Sequence, residues 1–299
     1  MDKSQFDTPI LLIAYNRLET AKKVFSSIKD IKPNKLYFVS DGPKDVSDKT
    51  QIDKLRKYII SNVSWDCQFK SILRDSNLGC KESVSNGIDW FFKNEEMGIV
   101  LEDDCLPSKS FFYFCEELLQ RYKDDERIYS ISGFNQQNEW NSSHHDYFFS
   151  RLGNCWGWAS WRRCWMDYDV EIKDFELFNK LNGFENSLGK KLGKIKKDMI
   201  YKGVIGDTVD SWALQWGYLR HKNSGLTCIP SKSLIKNIGC GDDATHTFHP
   251  FKFEVENNEI NIPTEVNTYV VPDLEYDTLM FKKDSILKRL KNKIIHFLS

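Results

Sequence analysis

The sequence predicts an α/β fold with a mostly parallel central sheet and helices on both faces. Three observations predict it: apolar runs of strand length, helical stretches alternating with them, and polar or turn-forming residues closing each run. Pro9-Ile-Leu-Leu-Ile-Ala14 is continuously apolar, as a strand covered on both faces requires. A helix over 18–30 follows, with Ala21, Val24, Phe25 and Ile28 at helical spacing. The alternation recurs with strands at 35–40, 67–73 and 98–101 and helices at 48–60, 81–92 and 108–121. Such an order implies right-handed crossovers and ligand binding at the carboxyl ends of the strands.

At 299 residues the chain is long enough for one large domain with a substrate cleft. Its composition, 40% hydrophobic and 28% charged, excludes disorder and collagen-like structure. Lys plus Arg number 42 against 43 Asp plus Glu, so nothing in the overall charge suggests a nucleic-acid partner. No signal peptide or run of membrane-spanning length is present, and the eight cysteines lack any Cys-x-x-Cys pair; they read as reduced thiols of a cytoplasmic protein. Residues 1–250 read as one domain whose character changes near 132, with a Lys-, Asn- and Gly-rich mobile loop over 175–201. Residues 251–299 read as an extension, ending in a basic amphipathic helix over 285–298 suited to peripheral membrane contact or to packing.

The residues after the strands carry the chemistry. Tyr15-Asn-Arg17 is no glycine-rich phosphate loop, which disfavours both a dinucleotide site and a sugar-phosphate nucleotidylyltransferase. Glu102-Asp103-Asp104 closes an apolar strand, where three like charges need a cation or hydrogen-bond donors. Hard oxygens leaving open metal positions suit Mg²⁺ or Mn²⁺ bridging a substrate diphosphate. The same tripeptide also suits a solvated turn capping the helix that starts near Pro107. Asp41-Gly-Pro43 is either a ligand site or a plain turn, and Arg17 either a phosphate clamp or a surface ion-pair partner.

Taken together, Pro9 to Arg17, Val39-Ser-Asp-Gly42 and Ile99 to Phe112 resemble, in order and spacing, a GT-A glycosyltransferase. The resemblance is to the N-acetylglucosaminyltransferase I type and related bacterial enzymes of surface-polysaccharide synthesis. Gly153-Asn-Cys-Trp-Gly-Trp158, Asp210-Ser-Trp212, Asn237-Ile-Gly239 and Thr245-His246 extend it over roughly residues 9–247. It implies a nucleotide-binding half over about 1–132, an acceptor half over about 133–250, and metal-dependent, inverting transfer from a UDP-sugar to a glycan or lipid-linked glycan. It places Asp104 on the metal, with His246 as a second contact, Asp103 by the ribose and Glu102 at the donor-sugar hydroxyls. Asp41 then lies by the uracil, Arg17 and Arg74 at the donor, and Asp210 as the base for the acceptor hydroxyl. Asp210 stands where the resembled enzymes have paired acids, with Ser211 in the second place and Asp207 upstream; Asp210 or Thr208 also suits a helix cap. Trp156 and Trp158 read as an acceptor platform, since indole faces stack on sugar C–H faces; Trp161 and Trp165, four apart, read as core anchors. A non-catalytic carbohydrate-binding protein would use the tryptophans but not the acidic triplet.

Overall fold

The computed structural model describes residues 6–140, 145–239 and 255–280. Its first half alternates as the apolar runs predict: β1 (Ile10–Ala14), α1 (Leu18–Ile31), β2 (Lys35–Ser40), α2 (Val46–Asn62), β3 (Gln68–Leu73), α3 (Gly79–Asn94) and β4 (Met97–Glu102). β1 is buried along its whole length and pairs in parallel with β2 on one side and β4 on the other, while β3 pairs with β2. The order β3-β2-β1-β4 therefore lines up four carboxyl ends along one edge. α1 buries Ala21, Val24, Phe25 and Ile28 against the sheet, the stripe that its spacing anticipates. Lys32 closes it in the left-handed region (φ 52°), returning its N–H to the Ile28 carbonyl.

The second half is mixed. β5 (Cys105–Pro107), α4 (Lys109–Arg121), β6 (Ile128–Ser132), β7 (Tyr147–Ser150), β8 (Trp158–Trp161) and the short α5 (Arg162–Trp165) come first. They are followed by α6 (Phe175–Lys180), α7 (Gly183–Leu188), α8 (Lys190–Ile200), a π-helical turn (Tyr201–Ile205), α9 (Ala213–Lys222), β9 (Leu226–Pro230) and β10 (Ile235–Asn237). The eight-stranded sheet has the order β3-β2-β1-β4-β8-β6-β9-β7, and only β8 and β7 run against the others. β5 and β10 form a separate antiparallel pair beside the end of β4. Three-residue strands give too little periodicity to be seen in the sequence, which reads as passing straight from the acidic triplet into a helix.

Two expectations are corrected. The stretch 175–201 is not a loop but the helices α6 to α8, closed around Ile172, Phe175, Phe184, Ile200 and Tyr218. Its glycines permit close packing: a Cβ on Gly193 would lie 2.5 Å from the Phe184 carbonyl oxygen. The boundary near 250 does not separate an extension, because residues 255–280 pack back on the sheet. Val255 joins the main core, Tyr276 is fully buried and hydrogen-bonds Asn135, and Asp277 accepts from Ser150. The basic helix expected over 285–298 lies outside the described residues. Among the described residues no helix is long and apolar enough to cross a membrane, and the cysteines are free thiols.

Candidate active site

The carboxyl end of β4 carries the acidic triplet to the middle of the sheet edge, with Glu102 in register with Ile13 of β1. Asp103 turns inward, 3% exposed; it accepts the Tyr15 N–H at 3.1 Å and faces the Arg17 guanidinium at 3.3 Å. Asp104 meets the same guanidinium at 3.0 Å. Tyr15 and Asn16 are themselves anchored on Asp48 of α2, so the turn after β1 is fixed from both sides. The Ile238 N–H bonds the Asp104 carbonyl at 2.8 Å and brings Gly239 over the pair. A Cβ there would stand 2.3 Å from the Asp104 carboxylate and 2.7 Å from Arg17, so only glycine fits.

One guanidinium cannot balance three carboxylates. Glu102 is pushed up to about 8, first by burial, then by Asp104 and Asp103, with Arg17 opposing. Asp103 is also raised, by burial, despite Arg17. Among the described residues nothing hydrogen-bonds the Glu102 carboxyl. The Cys80 thiol is pushed up to about 12, by burial first and then by the acids Glu102, Asp210 and Asp41, with Arg17 pulling down.

Two aspartates from distant segments close the start of α3. Asp41 is 7% exposed and accepts from the N–H groups of Gly42, Leu78 and Gly79 and from Asn77 Nδ2, at 2.9–3.2 Å. Asp210 accepts the next two N–H groups, Cys80 at 2.9 Å and Lys81 at 2.8 Å, as an N-cap side chain does from within its own helix. Asp207 pairs with Lys81 Nζ at 3.2 Å. Asp41, read as either a ligand site or a plain turn, is here a backbone anchor, and Asp103, placed by the ribose in the resemblance, is turned inward onto Tyr15 and Arg17. Neither Asp210 nor Thr208 caps α9: Ser211 Oγ accepts the Ala213 N–H, and Thr208 Oγ1 donates to the Lys202 carbonyl.

β8 runs antiparallel to β4, with Val100 opposite Trp158. Trp156 lies just before this strand, half-buried and edge-on to Phe134 at 4.7 Å. Trp158 is corrected from an acceptor platform to a core residue: it is 1% exposed and stacked on Trp212 at 5.6 Å. Alternation along the strand sends neighbours two apart to the same face, yet Trp156 precedes the strand and escapes it. Trp161 and Trp165 are buried as expected. Arg74 sits at the end of β3, three strands from the triplet, and only its backbone is engaged; Arg56 holds its carbonyl at 2.7 Å.

Arg56 also reaches the Ser40 and Asp41 carbonyls, tying the ends of β2 and β3 together. The sequence contains its signal, a cation in the apolar stripe Ile52, Leu55, Ile59, but that position was not read as functional. The acidic triplet does not cap α4; Glu259 does, accepting from Lys109 and Ser110. Among the described residues no three His, Cys, Asp or Glu side chains converge to hold a metal ion, and His246 lies outside them.

No protein-family model and no curated protein matches the chain. Solved structures similar to it include HddC from Yersinia pseudotuberculosis, 11% identical over 54% of this chain and 80% of that one, with a TM-score of 0.33. The 4-diphosphocytidyl-2C-methyl-D-erythritol synthase of Anaerococcus prevotii is 9% identical over 58% of this chain and 83% of its own, at 0.34. The glycosyltransferase GlyE of Streptococcus pneumoniae is 11% identical over 66% of this chain and 44% of its own, at 0.31.

Two outcomes are expected. Asp41→Ala leaves buried N–H groups unpaired and should cost about 2 kcal/mol in urea unfolding; unchanged stability would return Asp41 to the ligand groups. The second concerns Glu102, whose carboxyl keeps in the folded chain a proton that the unfolded chain releases above its ordinary value of 4.5. Its stabilising contribution is present at low pH and is lost as pH rises through about 8. In EDTA, Glu102→Gln should therefore gain stability relative to wild type, by roughly 1–2 kcal/mol, between about pH 5 and about pH 9. Parallel pH profiles for the two proteins would contradict this.

Proposed function

We propose that the chain is a GT-A type glycosyltransferase that moves a sugar from a nucleoside diphosphate donor, a UDP-sugar, to a hydroxyl of a glycan or lipid-linked glycan. The observation that carries the reading is the pairing of Asp103 and Asp104, next to Glu102, with the Arg17 guanidinium at the carboxyl edge of the parallel strands. The sequence resemblance gives that pairing its chemistry.

A divalent cation, Mn²⁺ or Mg²⁺, fits the donor set only as one shared with substrate. Asp104 offers hard oxygens at a side chain 14% exposed, in a site short of positive charge, but no protein-only cage exists among the described residues. Asp104 would hold it, and it would neutralise charge on the departing diphosphate. Arg17, 27% exposed, faces the same opening and supplies a fork for phosphate oxygens. Glu102 keeps its proton near neutrality, so its carboxyl both donates to and accepts from donor-sugar hydroxyls. Trp156 offers a half-buried indole for the acceptor ring. Asp210 is the proposed base, and inversion follows from direct displacement. Its oxygens are held by the Cys80 and Lys81 N–H groups, which weaken it as a base, so it must leave α3 to act.

The test is release of UDP from a panel of UDP-sugars, with the anomeric configuration of the product read by NMR. Turnover should need Mn²⁺ or Mg²⁺, and both Asp104→Ala and Asp210→Asn should lower it by roughly a hundredfold or more, with Asp207→Asn near wild type. Full turnover by Asp104→Ala in EDTA would reject the metal assignment. A retained anomer would reject the base, and pyrophosphate formation from UTP and a sugar phosphate would assign the chain to nucleotidylyl transfer.

A further inference from the structure

The whole chain carries a net charge of −1, yet residues 190–202 contain six lysines, at 190, 191, 194, 196, 197 and 202, against one acid, Asp198. α8 runs directly into the π-helical turn. Solvent-facing residues then recur three or four apart, at Lys191, Lys194, Asp198, Tyr201 and Ile205, with Lys190 and Lys202 flanking them. The opposite face, with Gly193, Ile200 and Gly203, is buried. Tyr201 is 53% exposed, Ile205 44% and Val209 37%. These are held in place: Tyr201 lies 6.0 Å from Phe175, ring centre to ring centre, and the Val209 N–H bonds the Gly203 carbonyl at 3.2 Å. Lys190, Lys191, Lys194 and Lys202 have no ion pair among the described residues.

We propose that this face docks on an anionic lipid bilayer, with the lysines over the headgroups and Tyr201, Ile205 and Val209 in the interfacial layer. Charge complementarity supplies the attraction, and the apolar tip supplies what a soluble anion or a nucleic acid would leave exposed. The composition points the same way. No arginine occurs between Arg163 and Arg220, and arginine rather than lysine makes the bidentate forks that suit discrete phosphates. Tyrosine suits an interface, where its ring is apolar and its hydroxyl wet. Val209 adjoins Asp210, the proposed base, so docking brings that residue toward the bilayer. That corollary names a lipid-linked acceptor and rests on the glycosyltransferase reading; the docking itself does not.

Co-sedimentation with vesicles needs no turnover and so tests docking separately. The full chain should bind phosphatidylcholine vesicles containing roughly one-third phosphatidylglycerol, bind pure phosphatidylcholine poorly, and come off in high salt. The combined change Lys190→Glu, Lys191→Glu and Lys194→Glu should weaken binding about tenfold or more. The pair Tyr201→Ser and Ile205→Ser should weaken it severalfold, with urea unfolding of both variants close to wild type. No binding to the anionic vesicles, or equal binding by wild type and both variants, would overturn the proposal. So would binding to polyuridylate that matches vesicle binding and ignores Tyr201 and Ile205.

Discussion

Like charges at the end of a buried strand set the terms for everything around them. Two carboxylates about 4 Å apart repel by about 4 kcal/mol at an effective dielectric of 20, and the β4 terminus carries three in succession. The fold answers with Arg17 from the turn after the neighbouring strand, the Tyr15 N–H, and a proton kept on Glu102. Each answer depends on register: β1 must lie beside β4 with Ile13 opposite Glu102 for the turn 15–17 to reach the acids. Gly239 completes the arrangement, since β10 crosses so near that a methyl group would collide with both partners. The site is held together, but among the described residues it remains short of positive charge.

The start of α3 shows the same economy of charge with the opposite sign. A helix N-terminus offers unpaired N–H groups and a partial positive charge, a ready place for phosphate. Here the N–H groups of residues 78–81 are already occupied by Asp41 and Asp210. As the helix stands, these N–H groups are not open to a phosphate. Asp210 is the less buried of the two caps and belongs to the segment that follows the lysine-rich helix.

Most of the first half was legible, because buried parallel strands are written as uninterrupted apolar runs and their helices as clear stripes. Every element from β1 to α4 except β5 stands within a few residues of its expectation. Individual site roles were harder to read, for one physical reason: a carboxylate's type and position in sequence do not reveal how many donors it already has. Asp41 reads equally as a ligand site or a turn, and what decides is its donors, of which three, at residues 77–79, lie 36–38 positions away. Trp156 and Trp158 looked equivalent, and one strand start separates an accessible indole from a buried one. Arg56 and Gly239 act through backbone carbonyls and close approach, which composition does not record. The helices α6 to α8 were masked by their lysines and asparagines, whereas the aromatic cluster that folds them is spread from 172 to 218.

On the proposed reading, the β4 acids form a half-built cation site that a nucleoside diphosphate completes. Free Mn²⁺ measured by electron paramagnetic resonance during titration of the protein, with and without UDP, tests it most directly. The account predicts weak Mn²⁺ binding alone, binding tighter by tenfold or more in saturating UDP beyond what UDP itself retains, and loss of that gain in Asp104→Ala. Mn²⁺ binding indifferent to UDP, or a UDP-dependent gain that survives Asp104→Ala, would contradict it.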